Sequence, residues 1–141
     1  MMPEGTPAAI PKEIEVGLKR SDVVWVGDED RSAPSWFAYK NSKIYLVSQR
    51  QPGAEEQTVP GLSEDTEDLM VVTRRKGRET ALDRFRARVR VLAPGAEWEE
   101  AASLLVDRRR SRAGPPADAI ERWRSTCLIA ELTLVLPTES P

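Results

Sequence analysis

The sequence predicts a mainly-β domain of about six antiparallel strands in a small barrel, closed or half-open, with one early helix and a helix pair before the last strand. Three observations predict it. Short runs of β-branched and aromatic residues recur with a period of two. The early ones are joined by polar turns of a few residues, too short for the crossover that a parallel pair needs. Six strands with few helices also favour closure, because a closed sheet has no exposed edge. The 141 residues suffice for one domain, and 40 % hydrophobic against 31 % charged residues supply a core.

The elements follow in order. Residues 1–10, with Pro3, Gly5 and Pro7, read as a flexible arm, which leaves 11–141 as a single domain. Pro11 opens a short helix over 11–20, where Ile10, Ile14 and Leu18 recur four apart on one face. Val23, Val24, Trp25 and Val26 form a strand closed by Gly27, and the polar residues 28–31 make a turn. A second strand covers 35–39 with Trp36 and Phe37, Asn41-Ser42 turns the chain, and a third strand covers 43–48. Residues 49–68 hold Pro52-Gly53, Pro60-Gly61 and six acidic residues without helical or strand period. A loop of that length in a compact domain is often functional.

A fourth strand over 69–73 leads into the basic turn 74–78. Residues 83–92 are the clearest strand: Phe85, Ala87, Val89 and Val91 point one way, and Arg84, Arg86, Arg88 and Arg90 the other. After Pro94-Gly95, residues 97–112 read as a helix with Trp98, Ala102, Leu104 and Leu105 facing inward, stopped by Ala113-Gly114. Pro115-Pro116 starts a second helix over 117–125, with Ile120 and Trp123 three apart. Residues 127–136 close the sheet. Leu128, Ala130, Leu132 and Leu134 line one side, and Ile129, Glu131, Thr133 and Val135 the other.

Composition excludes several chemistries. The chain has no histidine, which removes histidine-based triads, general bases and metal sites. Its single cysteine, Cys127, excludes an intramolecular disulfide and any multi-thiolate metal site, and at the start of an apolar strand it reads as a buried, inert residue. No apolar stretch approaches the roughly 20 residues that cross a bilayer, and the first residues lack a signal-peptide pattern, so a cytoplasmic protein without membrane contact is expected. A net charge of −2 gives no bulk pull toward nucleic acid. The segment 74–90 nevertheless carries eight basic and two acidic residues, though its one aromatic residue, Phe85, points to the side opposite the arginines, so no stacking residue shares their face along the chain.

The run Val23-Val24-Trp25-Val26-Gly27, an acidic turn, Ala33-Pro34-Ser35-Trp36-Phe37 and Lys43-Ile44-Tyr45-Leu46-Val47-Ser48 together resemble the split-barrel flavin-binding family. That family comprises the pyridoxamine 5′-phosphate oxidase-like proteins and their actinobacterial relatives that use a deazaflavin coenzyme. The resemblance implies a split β-barrel, a homodimer and an oxidoreductase that passes hydride between FMN, or the deazaflavin, and a small-molecule substrate. Carried over by position, it sets Pro34, Ser35 and Trp36 beside the flavin ring, and Ser48, Gln49 and Arg50 near the ribityl phosphate. A phosphate dianion needs converging donors and a cation, which Ser–Gln–Arg at a strand end can offer.

Where that family presents a basic, phosphate-clamping helix, residues 52–61 here hold no lysine or arginine and carry Glu55-Glu56. Two carboxylates beside a phosphate would repel it. Either the cofactor is bound differently, with Arg74 and Lys76 of the basic turn as replacement ligands, or its binding is lost. The alternatives are a non-catalytic cofactor- or anion-binding protein on the same fold, and an arginine-rich nucleic-acid-binding module.

Overall fold

The computed structural model describes residues 12–20, 23–50, 53, 56–75, 78–108 and 116–135. The chain runs α1 (Lys12–Arg20), β1 (Val23–Gly27), β2 (Ser32–Trp36), β3 (Ala38–Lys40), β4 (Lys43–Gln49), β5 (Asp68–Arg75), β6 (Arg78–Val91), α2 (Ala96–Arg108), α3 (Pro116–Thr126) and β7 (Cys127–Val135). All strand pairs are antiparallel. The sheet order is β2-β1-β5-β6-β7-β4-β3. Its two outermost strands are thus consecutive in sequence, separated by Phe37 alone. A flat sheet of seven strands would hold them about 29 Å apart, at roughly 4.8 Å per step. One residue cannot span that, so the sheet curls on itself.

Seven strands replace the expected six. The run 35–39 divides because its partner changes at Phe37. Trp36 is paired with Val23 on β1, whereas Ala38 is paired with Tyr45 on β4. The β5–β6 hairpin is also longer than expected. Most of the basic stretch 74–78 belongs to the strands, with a register shift between Arg74 and Arg75. Lys76 and Gly77 lie outside the described residues, as do the expected arm 1–10 and the stretch 109–115 between the two helices. The Asn41-Ser42 turn is as expected, with φ of 51° and 64° at its two central residues, a left-handed pair that Asn tolerates. Gly27 answers a close approach, since a Cβ there would stand 1.9 Å from the Arg31 carbonyl oxygen.

Two apolar cores result. Inside the barrel, Val24, Val26, Ile44, Leu46, Val71, Ala87 and Leu132 meet Ile14 and Leu18 of α1, which packs against β5. Each such burial contributes roughly 1–3 kcal/mol. Outside it, α2 and α3 cover β4 and β7: Trp98, Ala101, Ala102, Leu105, Val106, Ala119 and Trp123 pack on Val47, Cys127 and Ile129. The outer side of β7 is apolar because a helix pair sits on it. The helices cover only half of the barrel's exterior. On β1 and β2, Val23, Trp25 and Pro34 remain exposed.

Candidate functional site

The covered and open halves of the exterior meet at Trp36. Its backbone N–H donates to Gln57 Oε1 at 2.9 Å, and its carbonyl accepts from Gln57 Nε2, also at 2.9 Å. The same Nε2 reaches the Val47 carbonyl at 2.9 Å, and the Gln57 carbonyl accepts from the Gln49 N–H. Gln57 therefore bridges β2 and β4, closing the seam where the barrel would otherwise stay open. Glu56 lies beneath it, 8 % exposed. Its carboxylate accepts from the indole N–H of Trp36 at 3.1 Å, that of Trp123 at 2.9 Å, and the Gln57 N–H at 3.1 Å. A buried carboxylate needs such donors. Glu56 thus turns into the helix-covered core rather than toward a phosphate, and Glu55 lies outside the described residues.

Ser48, Gln49 and Arg50 stand together at the end of β4, each engaged within the chain. The buried Ser48 hydroxyl accepts from the Val59 N–H at 3.0 Å, and Gln49 Nε2 donates to Thr58 Oγ1 at 2.7 Å. Arg50 donates from Nε to the Cys127 carbonyl at 3.2 Å and from Nη1 to Glu64 at 2.7 Å. Ser35 is buried, with its hydroxyl on the Ala33 carbonyl. Trp36 is half-buried, its ring 6.0 Å from that of Trp123. Pro34 lies on the open half. Arg74 is placed on β5 opposite Leu82, its side chain outside the described residues with Lys76. Cys127 is buried, which pushes its thiol up.

The open half carries a signal that the linear sequence conceals. Strand register places Pro34, Trp25, Val72 and Arg84 in one row across β2, β1, β5 and β6. The next row is Ser32, Gly27, Met70, Arg86 and Val135. Trp25 and Val135 are 45 % and 40 % exposed. An aromatic residue does share the face of the arginines, Trp25 lying two strands from Arg84 with Val72 between them. Beside these rows is a cleft of about 330 Å³ with Met70 and Val72 at its base, Arg31 and Arg84 as cations, and Asp28 to Asp30 on its rim. Asp28 accepts from the Arg31 and Asp30 N–H groups, which hold its carboxyl below the usual range.

A second cleft, about 420 Å³, opens against α2 and has the opposite sign: Glu97, Glu99, Glu100, Asp107 and Glu131 line it with Tyr45 and Lys40. Within its lining the buried Glu131 carboxylate accepts from Arg90, Lys43 and Tyr45. Burial, then the Glu131 charge, raises the Tyr45 phenol. An anion is repelled here. No group of His, Cys, Asp and Glu side chains among the described residues could hold a metal ion, and no described helix is long and apolar enough to cross a membrane.

No family model and no curated protein matches the chain. Solved structures do. A FAD-binding protein from Mesorhizobium loti superposes with a TM-score of 0.56 at 13 % identity, covering 88 % of each chain. A candidate pyridoxamine 5′-phosphate oxidase from Listeria innocua gives 0.56 at 11 %, over 87 % of this chain and 91 % of that one. The haem storage protein HutZ of Vibrio cholerae gives 0.56 at 10 %, over 89 % of each. The chain is a split barrel. The fold implied by the Pro34–Phe37 resemblance is the fold observed, and it is one on which flavin-binding proteins are built.

A flavin makes two demands on such a barrel: a flat, mostly apolar slot for the ring, and converging donors with a cation for the phosphate. The row Pro34–Trp25–Val72 fits the first. At Ser48, Gln49 and Arg50 the polar groups already hold partners inside the chain. On the open half Arg84 and Arg31 are available for the second, Arg31 beside the carboxylates of Asp28, Glu29 and Asp30 and Arg84 on β6.

Proposed function

We propose that this split barrel is a flavin-class cofactor-binding oxidoreductase, taking FMN or a deazaflavin on the open half of its sheet as a homodimer. The observation that supports it is the row Pro34–Trp25–Val72–Arg84, a flat apolar and aromatic platform ending in a cation. Trp25 and Pro34 stack under a planar ring, Val72 and Met70 exclude water from it, and Arg84 pairs with an anionic tail. The bound cofactor supplies hydride chemistry toward a small organic molecule. The protein's part is to orient the ring, since this chain holds no histidine and its cysteine is buried. The same facts weigh against haem, whose iron is commonly held by histidine or thiolate.

A second copy fits the same surface. Exposed Val23 and Trp25 on β1 and Val135 on β7 flank the arginines of β6, with the acidic turn 28–30 at the end of β1. A twofold pairing sets one protomer's arginines against its partner's turn and encloses the cofactor between them.

The test is a fluorescence titration with FMN and, in parallel, the deazaflavin. Micromolar binding of one is expected, weakened about tenfold by Arg84→Ala, an effect of about 1.4 kcal/mol. Failure of both cofactors to bind overturns the reading, and sedimentation showing only a 16-kDa-class monomer overturns the dimer.

A further inference from the structure

We propose that Gln57 is an internal stand-in for a ligand. Its carboxamide occupies, from within the chain, a site that recognises the paired C=O and N–H edge of a planar heterocycle, and such a ring reaches Trp36 only by displacing it. The inference rests on the flavin reading and names how access to that site is controlled.

The N–H and C=O of Trp36 both point into the seam, and a backbone pair placed there must find partners. Gln57 satisfies both with one planar group, Oε1 accepting and Nε2 donating at 2.9 Å each. A lactam or imide edge on a flat ring presents the same acceptor and donor in one plane. Exchanging one amide for another keeps both bonds to Trp36 and forfeits the one from Nε2 to the Val47 carbonyl, a loss that the stacking of the ring has to offset. A ring adds what a glutamine lacks: it can stack on the half-buried Trp36 indole, which Glu56 holds in place at 3.1 Å. Trp36 also adjoins the open platform, two residues beyond Pro34 on β2.

Gln57 is not fixed by burial. It is partly exposed, and although its backbone is held by Glu56 and Gln49, the carboxamide moves by side-chain rotation alone. Left-handed glycines lie further along the chain at Gly53 (φ 97°) and Gly61 (φ 82°). Such positions absorb large backbone changes. A protein that must first vacate its own site binds with an affinity lowered by the fraction of time the site is open. Gln57 therefore sets a threshold for cofactor loading, independent of the residues that hold the phosphate.

The experiment titrates the full-length wild type, Gln57→Ala and Gln57→Glu with FMN and with 3-methyl-FMN, whose imide N–H is blocked, while circular dichroism reports folding. Removing the competitor should tighten FMN binding about tenfold in Gln57→Ala. The blocked probe should gain less than about twofold, since it cannot donate to the Trp36 carbonyl. If Gln57→Ala fails to fold, Gln57→Glu carries the test. It keeps an acceptor for the Trp36 N–H, loses the donor to two carbonyls, and should shift affinity in the same direction. Wild-type binding of FMN with no gain in the folded variants overturns the stand-in role and leaves the flavin reading standing. Equal gain for both probes overturns recognition of the imide edge. No binding by any of the proteins overturns both.

Discussion

The two halves of the barrel's exterior are built from the same sheet and behave as opposites. Over the middle of β4 and β7 the outward positions include Val47, Cys127, Ile129 and the buried Glu131, and α2 and α3 close over them until Trp123, Leu105 and Ile129 lose essentially all contact with solvent. Over β1, β2, β5 and β6 the outward positions mix Val23, Trp25, Pro34 and Val72 with Arg84, Arg86 and Arg88, and the largest apolar side chains there stay exposed. Apolar area that a fold leaves uncovered is a site for something else to cover. Stability should therefore reside in the helix-covered half and recognition in the open one.

The comparison breaks most readily at Trp123. Its replacement by alanine empties a fully buried volume and removes one of the indole donors to Glu56, so Trp123→Ala should cost about 3–5 kcal/mol in urea unfolding. A loss below about 1 kcal/mol would mean that the helix pair contributes little to stability. Glu131→Gln should cost less, about 1–2 kcal/mol. The carboxylate is buried, but its partners Arg90 and Lys43 remain partly in water.

Tyr39 offers a test with pH as the variable. Burial, and then its bond to Glu15 at 2.7 Å, push the phenol up to about 12. The folded state holds that proton more tightly than the unfolded chain, so the contribution is complete below pH 10 and lost as pH rises toward 12. Tyr39→Phe should flatten the fall in urea midpoint across that window and leave the neutral-pH slope unchanged. The smallest effect on stability belongs to the open half. Trp25→Ala should shift unfolding of the monomer by about 1 kcal/mol, since part of the ring is covered, while abolishing cofactor binding and dimerisation, a split that a recognition residue gives.

Much of the barrel was legible in the sequence, because alternation and short turns are local properties. Phe85, Ala87, Leu128, Ala130 and Leu132 could be assigned to one interior without knowing the strand order. The β2–β3 break at Phe37 was not legible, since it depends on which distant strand each half pairs with. Nor was the recognition surface. The arginines at 84, 86 and 88 share their face with no aromatic residue of their own strand, Phe85 being turned inward, and Trp25 comes to that face only through the register of β1 on β5. Glu56 showed the reverse limit. In sequence it was one of two adjacent charges in a loop, and only the fold supplies the indole N–H groups of Trp36 and Trp123 that account for its burial. Gln57 carried no local signal at all, because its partners Trp36 and Val47 lie 21 and 10 residues away.

The distribution of the four tryptophans has an optical consequence. Trp25 is partly in solvent on the same face as the arginines of β6, whereas Trp98 and Trp123 are buried on the inner sides of α2 and α3 and Trp36 is half-buried at the seam. Iodide, drawn by the arginines, will quench Trp25 emission and leave the buried pair bright. Anything that settles on the open half will shield that one fluorophore, so occupancy can be followed in the unlabelled protein from the quenchable fraction of its own light.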